Sequence, residues 1–219
     1  MRERLRAAVF AAAAVVLAIV IVALGWAYPP RAAVISTDRL GPDSGEPVAD
    51  YLARARESLR GSDTGEHWAL VSFGAGAVPG AIPEYAGGLR ISQVLYHVPI
   101  DRVFTPVVAI PVPAGDAVAV ASARWAASAL AQPDSADERS GRVAAVAAAR
   151  LHAGCACVAA LVVRGRLGEL RDLAAHTGIR AVQALPADAP DGAFAVTPLL
   201  PEQVGVAAPG PDDGPVPDR

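Results

Sequence analysis

The sequence predicts an α+β fold behind an amino-terminal transmembrane helix, and three observations carry that reading. Residues 7–27 form an uncharged apolar run, a strand–helix–strand pattern occurs twice, and two alanine-rich helical stretches lie between the copies. Two such units in one domain imply a ferredoxin-like sandwich, a duplicated βαβ arrangement, here with extra helices.

Residues 7–27, as a helix rising about 1.5 Å per residue, are roughly 30 Å long, enough to cross the hydrocarbon core of a bilayer. Arg2, Arg4 and Arg6 make the leader positive, which keeps it cytoplasmic and sends the remainder outside. Trp26 and Tyr28 suit the headgroup layer, and Pro29-Pro30-Arg31 stops the span. A cleaved signal peptide is the competing reading, but its apolar region runs only about 7–15 residues, so an uncleaved signal anchor is favoured. The lack of a Cys at the end of the run excludes a lipid-modified amino terminus. The expected address is the plasma membrane, single-pass, with the lipid bilayer as partner through residues 7–27.

Composition bounds the part outside. The chain has 219 residues, and with the span and two loose segments removed about 150 remain, enough for one domain with a real core. A formal charge of −3 gives no reason to expect nucleic acid, and 5% aromatic residues supply little for stacking bases. All basic side chains are Arg. Residues 29–46, with Gly41-Pro42-Asp43-Ser44-Gly45, read as a linker, and 47–204 as the extracytoplasmic domain. Residues 205–219 carry four prolines, three glycines and three aspartates and are expected to be disordered, because so little apolar surface cannot offset the entropy of ordering.

Within the domain a helix is predicted over 47–60, with Val48, Tyr51, Leu52, Ala55 and Leu59 on one face, Pro47 at its first position and Gly61 ending it. A strand over 68–73 leads into a Gly-rich turn at 74–80, a short helix over 82–86 and a strand over 89–98. The second copy is a strand over 155–163, a helix over 167–176 and a strand over 179–185. Gly88-Leu-Arg-Ile-Ser-Gln-Val-Leu95 matches Gly178-Ile-Arg-Ala-Val-Gln-Ala-Leu185, with the Gly of each copy expected to close a helix. The first strand of each copy is apolar nearly throughout, so both sheet faces should be covered, one by the repeat helices and the other by the helices between the copies. Those helices are predicted over 116–131, capped by Asp116, and from a cap at Asp137 to Gly154, with Val143, Val146, Ala147 and Leu151 inward. Residues 103–110 read as an edge strand because Pro106 cannot donate to a ladder, and 194–196 as a short strand.

The candidates for chemistry are few. His152-Ala-Gly-Cys155-Ala-Cys157 holds the only two cysteines, in an oxidising compartment if the orientation holds. In a regular strand two such residues lie about 6.6 Å apart along one face. A disulfide needs Cβ atoms about 3.5–4.5 Å apart, so a local bond requires a bend that Gly154 would permit. Four states fit: a strained, reducible local disulfide, a bond between chains, two buried thiols, or a partial metal site with His152. Structural zinc wants four ligands at wider spacing, which counts against the last, and structural cysteines rank ahead of an exchanging redox pair. Gly74-x-Gly76-x-x-x-Gly80 follows a strand where a dinucleotide fingerprint would lie, but Pro79 spoils the phosphate-binding helix and a plain β-to-α turn is favoured. His67, His97, His152, His176, Ser72 and Ser92 belong to none of the hydrolase motifs Gly-x-Ser-x-Gly, His-Glu-x-x-His or Ser-x-x-Lys. His176 is explained by a helix carboxyl end. No catalytic, cofactor-binding or metal residue is therefore assigned.

Trp68-Ala-Leu-Val-Ser-Phe73, Gly154-Cys-Ala-Cys-Val158 and Pro198-Leu-Leu-Pro-Glu202 resemble stretches of small, Arg-rich single-pass membrane proteins predicted from actinobacterial genomes, a group that brings no activity or active residues. Residues 170–186 are similar to the closing helix and strand of subtilisin-propeptide-like inhibitor domains, which are ferredoxin-like. The expectation is a membrane-anchored module that binds or organises envelope components, with an envelope protein as partner. The alternatives are a thiol/disulfide protein using Cys155 and Cys157, or a propeptide-like protease inhibitor or chaperone.

Overall fold

The computed structural model describes residues 16–17, 37–113, 115–131 and 137–218. The chain divides into two units, Met1–Ile35 and Ser36–Arg219. In the first, Val16 and Leu17 are helical and exposed. The rest of the expected span over 7–27, with its basic leader, lies outside the described residues. Among the described residues no helix is long and apolar enough to cross a membrane.

The second unit is an α+β domain. Its elements are β1 (Arg39–Leu40), α1 (Val48–Ser58), β2 (Glu66–Ala77), a 3-10 turn (Pro79–Ala81), α2 (Ile82–Ala86), β3 (Arg90–Tyr96), β4 (Val108–Pro111), α3 (Asp116–Leu130), α4 (Glu138–His152), β5 (Val158–Arg166), α5 (Leu167–Ala174), β6 (Ile179–Ala184) and β7 (Ala195–Val196). Five strands form an antiparallel sheet in the order β4-β3-β5-β2-β6, and β1 pairs parallel with β7 apart from it. The two strands of β2–α2–β3 enclose β5, and the two strands of β5–α5–β6 enclose β2. β4 takes an edge as expected, but it runs from Val108 to Pro111 rather than over 103–110, and Pro106 lies before it.

Leu70 and Val71 point to opposite faces of β2 and both are fully buried, so the sheet is covered on both sides. The covering differs from the expected one. Ala69, Val71, Phe73, Val94, Leu161 and Val182 share one core with residues of α2, α3, α4 and α5, so the helices between the copies fold onto the same face as the repeat helices. The alanines of α3 and α4 explain this. Ala119, Ala126, Ala127 and Ala147 are almost wholly buried, and their small side chains let two extra helices approach a face already in use. The opposite face is closed by α1, whose Val48, Tyr51 and Ala55 pack near Ala181, and by β1 and irregular chain: Leu40 of β1, Ala189 and Phe194 lie over Trp68, Leu70 and Val162.

Several boundaries move. The Gly-rich stretch at 74–77 is strand, not turn. β2 runs on to Ala77 with a register irregularity after Ser72, and a Cβ at Gly76 would stand 2.1 Å from the Ala156 carbonyl oxygen. Glycine is there to let another backbone come close. β5 starts at Val158 rather than at Cys155. Asp137 caps α4 as expected, accepting from Ser140 N at 2.8 Å, whereas α3 begins after Gly115 with no side-chain cap. Gly87, not Gly88, closes α2 in the left-handed region, while α5 closes on Ala175 and Gly178 turns the chain into β6.

The segments expected to be loose are tied down in part. Leu40, in the expected linker, is buried, and Gln183 grips the same stretch, its Oε1 accepting from Gly41 N at 2.6 Å and its Nε2 donating to Arg39 O at 3.3 Å. The tail beyond Gly205 makes backbone bonds at two places: Val48 N donates to Gly205 O at 3.0 Å, and Gly214 N to Arg102 O at 2.7 Å. Backbone pairing and two aspartates supply what its apolar content does not.

Candidate functional site

Where β3 ends, Tyr96 hands over to His97-Val98-Pro99, and the chain turns sharply at Asp101-Arg102. Arg102 stands at φ 53°, a left-handed conformation costly for a residue with a side chain. Facing this loop is the segment after Pro198. Leu199 is buried, and Arg180 of β6 donates to the carbonyls of Leu200 at 3.0 Å and Gln203 at 2.6 Å, which fixes the direction of the wall. Between the loop at 97–105 and the segment at 200–211 lies a cleft of about 630 Å³. A second cleft of about 400 Å³ adjoins it, sharing Phe104, Leu200 and Pro209. Phe104 is 53% exposed and Val204 80%, so the rim presents apolar side chains to solvent.

A short side-chain contact crosses the cleft wall. His97 Nε2 lies 2.7 Å from Glu202 Oε1, and the imidazole is buried. Thr105 Oγ1 gives its hydrogen to Val98 O at 2.7 Å, so toward His97 Nδ1, 3.3 Å away, it accepts. Partial burial pushes the Glu202 carboxyl up, but the hydrogen bond from His97 and the charges of His97 and Arg180 outweigh it and hold the group below the usual glutamate range.

The candidates read from sequence fall as follows. Cys155 and Cys157 form a disulfide with Cα atoms 5.3 Å apart, so of the four states the local bond is the one in the structure. The cysteines sit before the strand, in a turn closed by Cys157 N donating to Cys155 O at 2.9 Å, and Gly154 at φ 76° supplies the bend. Cys157 O accepts from His97 N at 2.9 Å, which sets the turn against the cleft loop. His152 ends α4 with its side chain exposed. His67 is buried between Leu185 O at 2.7 Å and Asp63 Oδ1 at 2.9 Å, and its hydrogen bond holds the Asp63 carboxyl low. His176, just past α5, lies 3.2 Å from Thr177 O through Nδ1 and sets its ring edge-on to Tyr85 with centroids 6.3 Å apart. Ser92 Oγ donates to Val162 O at 3.3 Å. Ser72 and Tyr51 are buried with their hydroxyls outside hydrogen-bonding geometry, and burial pushes the Tyr51 hydroxyl up to about 12, against the pull of the Arg54 charge. Among the described residues no group of three or more His, Cys, Asp or Glu could hold a metal ion.

The cleft residues other than His97 escaped sequence reasoning. Glu202 ends a stretch notable for its prolines, and Asp212 and Asp213 fall in a segment whose composition predicts disorder. The available signal was charge: an acidic pair in the tail opposite in sign to Arg102 and Arg139. No protein-family model matches the chain, and comparison with curated proteins and with solved structures returns no match.

Proposed function

We propose that this chain is a membrane-anchored binding module of the cell envelope, its span at 7–27 and its domain outside the cytoplasm, and that the domain is a ferredoxin-like sandwich with a duplicated βαβ unit. The observation that carries the binding reading is the cleft beside Phe104, an apolar concavity with a few convergent polar groups, the form ligand sites usually take. The apolar length of 7–27 and the arginine leader support the anchor, and the strand order β3-β5-β2-β6 supports the fold. A photo-crosslinking residue at Phe104 of the full chain in native membranes should capture an envelope component that the same residue at exposed Val78, which does not line the cleft, does not. Equal labelling at both positions sinks the binding reading. A phosphatase fused to the carboxyl end should be active, and activity only of a cytosolic reporter overturns the orientation.

The thiol/disulfide reading has one observation in its favour, the bond between cysteines only two positions apart. It requires Cys155→Ser and Cys157→Ser to abolish the protein's effect, whereas capture at Phe104 that survives both favours binding. The propeptide-like reading rests on α5 and β6, and slowed subtilisin-type proteolysis by the purified protein is its test.

A further inference from the structure

We propose that residues 45–48, the turn at 101–104 and Arg139 form a docking site for an extended, acidic, proline- and glycine-rich peptide, occupied in this structure by the chain's own residues 204–214. The inference deepens the binding reading by naming the partner class.

The tail joins this surface through paired backbone at one isolated bridge. Val48 N donates to Gly205 O at 3.0 Å, Ala207 N to Glu46 O at 2.9 Å and Gly45 N to Ala207 O at 2.8 Å, with Pro47 and Val206 bridged antiparallel. Gly45, Glu46 and Pro47 lie outside both sheets and Val48 opens α1, so the tail satisfies backbone groups that no other strand pairs, by the main-chain hydrogen bonding that extended peptides use. Pro209-Gly-Pro211 then carries the tail along the large cleft to a second anchor. There Asp212 Oδ1 accepts from Phe104 N at 3.1 Å and Arg139 Nη2 at 2.8 Å, Arg139 also reaches Gly214 O at 3.0 Å, and Asp213 pairs with Arg102.

The contacts are selective in register. Ala207 is buried, and a Cβ at Gly214 would stand 2.6 Å from Asp101 O, so these positions demand small residues. Two aspartates meet two arginines. Arg102 keeps its left-handed backbone, with its carbonyl and its guanidinium both engaged by the tail. The hold is also exchangeable. Val204 and Val206 are 80% and 49% exposed, so the tail buries little apolar side chain, and the ion pairs are solvent-exposed and weak. What keeps the tail in place is its attachment to the same chain, which gives it a high effective concentration. A free peptide of the same pattern competes against that advantage.

The test uses the full chain and a fluorescent synthetic peptide of residues 203–216, read by anisotropy. The Asp212→Asn, Asp213→Asn chain loosens its own tail and leaves the arginines intact, so it should bind the peptide about tenfold or more tighter than the unsubstituted chain. Gly214→Ala loosens the tail without touching charge and should act in the same direction. Adding Arg102→Gln and Arg139→Gln, or replacing both aspartates of the peptide by Asn, should remove the gain. Circular dichroism confirms that each variant is folded. No binding to either loosened chain, or binding indifferent to the arginines, overturns the proposal. Capture at Phe104 without peptide binding leaves the envelope-binding reading standing and removes this one alone.

Discussion

At the scale of single residues, Glu202 and Gly76 show how much rests on one group. Because the Glu202 carboxyl is held below its ordinary value of 4.5 in the folded protein, its contribution is present above that value and is lost as pH falls through the folded pKa. Glu202→Gln should therefore unfold more easily at pH 5.5, by about 1 kcal/mol after allowing for its half exposure, with the two proteins converging as the pH approaches 3. Urea titrations at the two pH values check this. A gap that does not close with acid would mean the carboxylate charge is not what His97 recognises. Gly76→Ala should cost about 2 kcal/mol or more, since the new methyl meets a backbone oxygen that no rotamer can move aside. Neither role was legible in the sequence. Glu202 lies far along the chain from His97, and Gly76 stood in a pattern that also fits a turn.

At the scale of elements, local signals did better. The hydrophobic spacing of α1, the cap at Asp137 and the apolar β2 and β5 all reflect interactions within a few residues, and each element is found close to its predicted place. Errors gathered at junctions. The apolar residues of Cys155-Ala-Cys157 predict strand, but the disulfide between them closes a turn at Gly154 and β5 begins only at Val158. Leu170 in α5 is fully buried against the sheet, so Leu170→Ala should cost roughly 2–5 kcal/mol in chemical denaturation. A loss below 1 kcal/mol would show that α5 is a loosely held cover.

At the scale of the whole molecule, the disulfide is a small part of stability. It closes a loop of three residues, so removing it by Cys155→Ser and Cys157→Ser should cost only about 1.5 kcal/mol by loop entropy. Thermal melts of the folded variant, compared with the parent under oxidising conditions, check it, and collapse of the fold would mean that the turn nucleates the β5 register. The five-stranded order, with the strands of each unit enclosing one of the other, joins residues as distant as Ala69 and Ala184.

Read alone, the residue order determined the α+β class and the main helices and sheet strands, because propensity, capping and periodicity act over a few neighbouring residues. It did not determine that four helices share one sheet face, that Glu202 meets His97, or that an acidic proline-rich tail returns to Arg102 and Arg139. Those contacts form between distant stretches only once the chain is packed, and their pairing depends on which surfaces the sheet brings within hydrogen-bonding reach.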